Sequence, residues 1–112
     1  MKIYHNPRCS KSRQGLAILE ASNQPFQVIK YLETPISENE LSEIVKLLGI
    51  KPIQLIRKNE SVWKENYKNK NLSDSQLIKV MVANPKLIER PIVINNGKAV
   101  IGRPPQLIEN IL

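Results

Sequence analysis

The chain has only one cysteine, Cys9, and one histidine, His5, among its 112 residues. A single cysteine excludes an internal disulfide framework, on which small secreted domains often depend, and points to a reducing compartment. One cysteine and one histidine are also too few strong nitrogen and sulfur ligands for a tetrahedral zinc site. We therefore expect a reduced protein that holds no metal and no bound cofactor.

Long apolar runs are missing as well, and aromatic residues make up only 4% of the chain. No segment approaches the roughly 20 apolar residues that span a bilayer, and residues 1–7 lack the apolar stretch of a secretion signal. Few aromatic side chains are present on which nucleic-acid bases could stack. These absences predict a cytoplasmic protein that binds neither membrane nor nucleic acid, and no second apolar face suggests more than a monomer.

Positive charge is abundant: 17 lysines and arginines face 10 acidic residues, a net charge of +7. The surplus is patchy, because residues 1–13 hold four basic groups and no acid, whereas residues 20–43 hold five glutamates and one lysine. Residues 51–70 are basic again. Such patches have three interpretations: a solvated basic surface, nucleic-acid binding, or attraction of a small anion.

The first third of the chain has the order strand, helix, strand. Residues 2–4 are compatible with a strand, and a helical pattern follows from Ser10 or Ser12, both good N-cap residues, to residue 21. Residues 26–31 alternate apolar and polar side chains, which predicts a second strand.

The middle of the chain is helical in pattern. Ser37 and Ser73 each begin a capping box with a residue three positions later, and Gly49 is expected to end the first of these helices. A short helix is expected over residues 52–57, whereas residues 58–71 are polar and basic.

The last quarter returns to strands. Apolar residues 92–94 and 99–101 flank an Asn-Gly pair, which predicts a β-hairpin with a type I′ turn. A final helix from residues 104–105 would bury Leu107, Ile108 and Ile111. At this length we expect one domain over residues 1–112. The element order favours a thioredoxin-like fold over the alternative, a ferredoxin-like α+β sandwich.

Cys9 lies where a thiol would be reactive. It follows a strand and a proline and precedes a helix, and Arg8, Lys11 and Arg13 surround it. A helix N-terminus and nearby cations both lower the pKa of a thiol. The alternative, a buried apolar cysteine, fits these polar neighbours poorly, so the sequence predicts a thiolate nucleophile.

Several other residues are candidates for the same site. His5, four residues before the cysteine, could pair with the thiolate or donate a proton, or simply be exposed in a loop. Ser12 could cap the helix or donate to an oxyanion. Arg57, Arg90 and Arg103 each lie beside a structural break, and arginine forks suit a tetrahedral anion.

Five segments carry a resemblance that covers the whole chain. Residues 4–13 (YHNPRCSKSR), 31–35 (YLETP), 55–59 (LIRKN), 89–93 (ERPIV) and 101–105 (IGRPP) together resemble, in their order, the glutaredoxin-linked arsenate reductase family. The resemblance implies a thioredoxin-like α/β fold with a mixed four-stranded sheet. It also implies a helical insertion between the second and third strands, at about residues 37–89.

The resemblance further implies a role for each candidate. Cys9 would attack arsenate, His5 would support the thiolate and Ser12 would help to stabilise it. Three arginines would hold the oxyanion: Arg57, Arg90 and Arg103. Pro91 would be a cis-proline opposite the cysteine. Since the chain has no second cysteine, the electrons for reduction to arsenite would come from glutathione, with glutaredoxin as protein partner.

Two other functions remain open at this stage. Spx-type regulators share the fold and bind RNA polymerase, but they carry a Cys-x-x-Cys switch, and Ser12 stands at the position of its second cysteine. The other alternative is a thiol reductase of a different oxyanion.

Overall fold

The computed structural model describes every residue from Met1 to Leu112, and the chain divides into two compact units. Unit 1 comprises Met1–Thr34 and Arg90–Leu112, and unit 2 comprises Pro35–Glu89. The predicted insertion, residues 37–89, covers nearly the whole of unit 2. None of the helices is both long and apolar enough to cross a membrane.

Unit 1 contains the four-stranded mixed sheet that was predicted. The strands are β1 (Lys2–Tyr4), β2 (Gln27–Ile29), β3 (Ile92–Asn95) and β4 (Lys98–Ile101), in the spatial order β2-β1-β3-β4. β1 is parallel to β2 and antiparallel to β3, and β3 is antiparallel to β4. Helix α1 (Ser10–Ala21) connects β1 to β2. The α/β class and the strand arrangement of the predicted thioredoxin-like fold are thus confirmed.

The hairpin between β3 and β4 forms as the sequence indicates. Asn96 and Gly97 both have positive φ, 52° and 74°, the backbone that a type I′ turn requires at its two central residues. β2 is shorter than predicted, because the N–H groups of Glu33 and Thr34 both donate to the Lys30 carbonyl and turn the chain out of the sheet.

Unit 2 contains three α-helices and two 3₁₀ turns. The helices are α2 (Glu38–Leu48), α3 (Ser61–Asn66) and α4 (Asp74–Ala83), and the 3₁₀ turns are Pro52–Leu55 and Pro85–Leu87. Ser37 accepts the N–H of Glu40, Ser73 and Gln76 form the reciprocal capping box, and Gly49 adopts the left-handed conformation, all as predicted. α3 was not predicted; Trp63, only 6% exposed, is its buried residue.

The segment after β4 differs from the prediction. Residues Pro105–Ile111 form a 3₁₀ helix rather than an α-helix. With three residues per turn, positions three apart share a face, so Pro105 and Ile108 are buried, Ile111 is partly buried and Leu107 is 37% exposed. The prediction that Leu107 belongs to the buried stripe is therefore wrong.

Two glycines let the elements of unit 1 approach closely. A Cβ on Gly15 of α1 would lie 2.9 Å from Pro91 Cγ and 3.0 Å from Ile108 Cδ1. A Cβ on Gly102 would lie 2.9 Å from Ile108 Cδ1 and 3.0 Å from Pro91 Cγ. Ile108 belongs to the apolar core that Ile3, Leu19 and Val93 complete, so the two glycines hold α1 and the end of β4 against that core and against Pro91.

We expect Gly15→Ala to destabilise the protein by about 1–3 kcal/mol, the usual cost of overpacking a core. The sign is informative, because replacing a glycine inside an ordinary helix by alanine stabilises it by up to about 1 kcal/mol. Urea unfolding measures the change. Gln14→Ala, at the exposed neighbouring position, is the control and should change the free energy of unfolding by less than about 0.5 kcal/mol. A Gly15→Ala protein as stable as wild type would show that this contact is not tight.

Candidate active site

Cys9 is the N-cap residue of α1, so the predicted N-cap at Ser10 or Ser12 is wrong by one residue or three. Both backbone polar groups of Cys9 are hydrogen-bonded. Its N–H donates to the Asn6 carbonyl (3.0 Å), and its carbonyl accepts from the Arg13 N–H (3.0 Å). The side chain makes no capping hydrogen bond and is partly exposed. The sulfur therefore lies at the positive N-terminal end of the helix and does not cap it by a hydrogen bond.

The pKa of the Cys9 thiol lies below its ordinary value. Burial, the largest single influence, raises this pKa, but the interactions that favour the thiolate outweigh it. The Arg90 side chain donates a hydrogen bond to the sulfur and adds its charge, and the backbone N–H groups of Ser12 and Lys11 lower the pKa further. The fold thus favours a thiolate at this position.

Arg90 comes from a distant part of the sequence, just before β3, whose first residue Ile92 pairs with Tyr4 at the end of β1. The peptide bond between Arg90 and Pro91 is cis, the conformation that the resemblance implies, and the bond between Arg103 and Pro104 is cis as well. Arg103 Nη1 donates to the Arg90 carbonyl at 3.4 Å, while the Arg103 side chain remains exposed. Unit 1 therefore brings together the thiol and two of the three predicted oxyanion-binding arginines.

The third arginine, Arg57, belongs to unit 2. It follows an isolated antiparallel bridge between Ile56 and Ile88, and its N–H donates to the Leu87 carbonyl at 2.8 Å. Its guanidinium forms salt bridges with Glu89 (3.5 Å) and Glu60 (3.9 Å). Within its unit this arginine is thus paired with two carboxylates.

Ser12 connects the loop before α1 to the helix itself. Its side chain is completely buried, and its hydroxyl oxygen accepts the Asn6 N–H at 2.9 Å and shares a hydrogen bond of 2.7 Å with His5 Nδ1. The hydroxyl has the capacity for both bonds, since it offers one hydrogen and two lone pairs. Ser12 therefore acts on the site twice, through its N–H on the thiol and through its hydroxyl on the loop.

His5 is only 4% exposed, and its pKa is lowered. Burial is the main cause, the charge of Lys30 adds to it, the bond to Ser12 acts in the opposite direction and the charge of Arg13 lowers the pKa again. At pH 7 the imidazole is accordingly neutral. The backbone N–H of His5 donates to the Ile29 carbonyl of β2 at 2.8 Å, while the ring Nδ1 shares its hydrogen bond with Ser12, through which His5 is connected to the thiol.

Sequence reasoning missed the observed roles of three supporting residues, one of which, Arg13, it had named only as a cation near Cys9. Asn6 accepts the Arg8 N–H with its side chain (3.0 Å), as the Asn-Pro pair at residues 6–7 could have suggested. Arg13 Nη1 donates to the Pro7 carbonyl at 3.0 Å. Lys30 acts on His5, and only the parallel pairing of β1 with β2, which brings their carboxyl ends to one edge, could have indicated it.

Comparison with known proteins fits this geometry. A family model described as the ArsC family matches residues 4–111 of the chain. The chain belongs to the ArsC family. This match confirms the family that the five segments predicted.

ArsC relatives of similar length align with the whole chain. It is 48% identical to the uncharacterized protein YfgD of Escherichia coli strain K12, over 100% of this chain and 96% of that protein. It is 46% identical to a protein named arsenate reductase from Haemophilus influenzae, over 98% of this chain and 97% of that protein. A solved structure named arsenate reductase from Vibrio cholerae is 48% identical and superposes with a TM-score of 0.93, covering 100% of this chain and 98% of that one.

We expect the thiol pKa of Cys9 to lie below the value of about 8.5 for a free cysteine, and Arg90→Gln to raise it, since the variant removes both a hydrogen bond and a charge. The pH dependence of alkylation by iodoacetamide measures this pKa. Lys2→Gln, which removes one positive charge at the start of β1, is the matched control and should leave the pKa unchanged. Equal shifts in the two variants would mean that net charge, and not the Arg90 contact, sets the thiol pKa.

We also expect His5 to titrate below its ordinary pKa of about 6.5 and therefore to be neutral at pH 7. Because the charge of Lys30 opposes protonation, Lys30→Gln should raise the pKa of His5. The chemical shifts of the single imidazole, followed by NMR between pH 4 and 8, report both values. A wild-type pKa at or above 6.5 would contradict the neutral imidazole.

Proposed function

We propose that this protein is an arsenate reductase that uses Cys9 as its single nucleophile and takes its electrons from glutathione, with glutaredoxin as protein partner. The observation that carries the proposal is the position of the Cys9 thiol at the N-terminus of α1, where Arg90 and the N–H groups of Ser12 and Lys11 lower its pKa. The names of the relatives from Haemophilus influenzae and Vibrio cholerae support the substrate.

In the first step the Cys9 thiolate attacks arsenic of arsenate. A sulfur–arsenic bond forms, and one arsenate oxygen takes up protons and leaves as water. Arsenate is a compact tetrahedral anion, so Arg90 and Arg103 would bind its oxygens with the planar forks that suit such anions. The N–H groups at the start of α1 would stabilise the negative charge that remains.

In the second step a glutathione thiolate attacks Cys9 Sγ. The disulfide bond forms while the sulfur–arsenic bond breaks, and the electron pair of that bond stays on arsenic, which leaves as arsenite. Two thiols are thereby oxidised to one disulfide, and As(V) is reduced to As(III). A thiolate of glutaredoxin then attacks the glutathione sulfur and releases Cys9. An external thiol is required because the chain holds no second cysteine.

The proposed mechanism gives different roles to His5, Ser12 and Arg57. Ser12 would keep its N–H on the sulfur, and the neutral His5 would hold Ser12 in position rather than pair with the thiolate. Arg57 stays a predicted oxyanion-binding residue; within unit 2 its guanidinium is paired with Glu89 at 3.5 Å and Glu60 at 3.9 Å.

We expect arsenate-dependent oxidation of NADPH when the protein is coupled to glutathione, glutaredoxin and glutathione reductase. Cys9→Ser should abolish it, and Arg103→Lys, which keeps the charge but loses the fork, should raise the KM for arsenate roughly tenfold, as the loss of a charge-assisted hydrogen bond does. The coupled assay at varied arsenate concentration measures both effects.

Lys2→Gln serves as the control for net charge and should retain the wild-type KM for arsenate. Omission of glutathione, and then of glutaredoxin, tests the electron source. Folded wild-type protein without any arsenate-dependent oxidation would remove arsenate as the substrate. Because glutathione reductase oxidises NADPH only with glutathione disulfide, these omissions are measured by the arsenite released; full release of arsenite without glutathione would remove the proposed thiol donor.

A further inference from the structure

A pocket of about 370 Å³ lies within unit 1, next to the loop that carries Cys9. One wall is residues 5–8 of that loop, and the other is formed by Lys30, Leu32 and Glu33 from the turn after β2. Its volume lies within the range of about 300–1,000 Å³ that is typical of small-molecule sites.

The pocket forms where the topology of the sheet favours one. β1 and β2 are parallel neighbours, and ligands of α/β proteins commonly bind in the crevice beyond the carboxyl ends of such strands. The His5 N–H bonded to the Ile29 carbonyl holds the two segments together just past the strands. The turn closed on the Lys30 carbonyl fixes Lys30 and Glu33 on the same wall.

The charges of the pocket select against a simple oxyanion. Arg8 and Lys30 are cationic, but Glu33 contributes a carboxylate that would repel arsenate. None of the three takes part in the salt bridges that the structure shows, and Leu32 adds an apolar surface that is 41% exposed. Two cations and one carboxylate are complementary to a ligand with two carboxylates and one ammonium group.

The pocket lining ends at Arg8, one residue before Cys9 in the chain. The Arg8 N–H is fixed by the Asn6 side chain at 3.0 Å. The Cys9 N–H donates to the Asn6 carbonyl, also at 3.0 Å, so one turn holds both the pocket wall and the residue that carries the nucleophile. A ligand of peptide size in this pocket could bring a sulfur atom to Cys9.

We propose that this pocket is the glutathione subsite: Arg8 and Lys30 bind the two glutathione carboxylates, and Glu33 binds its ammonium group. The proposal rests on the proposed function, in which glutathione reacts at Cys9, and it assigns that reaction a place and a specificity. Glutathione is the occupant because it combines this charge pattern with a thiol.

The test uses the reaction of Cys9 with oxidised glutathione, which needs no arsenate. The Cys9 thiolate attacks one sulfur, the disulfide of the reagent breaks, a Cys9–glutathione disulfide forms and one glutathione thiolate leaves. The second-order rate constant is followed by mass spectrometry. The same measurement with bis(2-hydroxyethyl) disulfide, which is uncharged, isolates the reactivity of the thiol itself.

We expect Lys30→Gln and Glu33→Gln each to slow the reaction with oxidised glutathione about three- to fivefold, the range of exposed ion pairs, and Glu33→Gln to leave the reaction with the uncharged reagent unaffected. Glu33→Gln is the decisive variant. Oxidised glutathione is a net anion, so general attraction to a positive surface predicts a faster reaction in this variant, whereas a specific ammonium contact predicts a slower one. Lys2→Gln is the control for net charge and should match wild type.

A faster reaction with oxidised glutathione in Glu33→Gln, or equal slowing of both reagents in that variant, would overturn the subsite. In the coupled assay Glu33→Gln should raise the KM for glutathione and leave the KM for arsenate unchanged. The two proposals fail separately. If wild type shows glutathione selectivity without arsenate turnover, the substrate is wrong and the subsite stands; arsenate turnover without that selectivity removes the subsite alone.

Discussion

A negative charge on a partly buried sulfur is the constraint on which the rest of this site depends. Burial of Cys9 works against the thiolate, and the protein offsets this cost with hydrogen bonds and a neighbouring guanidinium. These groups come from two places, the first turn of α1 and the start of β3. The fold must therefore hold a helix end and a strand end together to within hydrogen-bond distance, and Gly15, Gly102 and the buried Pro91 belong to the packing that does so.

The loop between β1 and α1 has to satisfy its own polar groups without using the sulfur. Ser12 satisfies these groups, because its buried hydroxyl accepts the Asn6 N–H and also shares a hydrogen bond with the His5 ring nitrogen. An ordinary N-cap side chain would occupy the helix end itself. In this chain that end is left to Cys9, which makes no capping bond, so the N–H groups stay available to the thiolate and to an oxyanion bound to it.

Much of this arrangement could be predicted from the sequence, since it depends on local patterns. Capping boxes at Ser37 and Ser73, the Asn-Gly turn and the position of Cys9 before a helix are signals within a few residues. The features that could not be predicted depend on contacts between segments that are distant in the sequence. These are the hydrogen bond from Arg90 to the thiol, the lowered pKa of His5, and the salt bridge of Arg57 with Glu89. The final 3₁₀ helix was missed because both patterns bury Ile108 and place Ile111 on the same face, and they differ only in whether Pro105 or Leu107 completes it.

The absence of a second cysteine has a consequence for the distribution of charge. A reductase with its own resolving thiol needs only one anion site, but a protein that borrows a thiol has to bind two different anions in succession. Arsenate would call for positive groups alone, and under the proposal Arg90, at the sulfur, and Arg103, bonded to the Arg90 carbonyl, would supply these. Glutathione is larger and carries an ammonium group, so a carboxylate becomes useful for telling it from other anions. Glu33 would repel arsenate if it stood among those arginines. On the turn after β2, lining the same pocket as Arg8, it would under the proposal select the thiol donor and leave the proposed oxyanion site entirely positive.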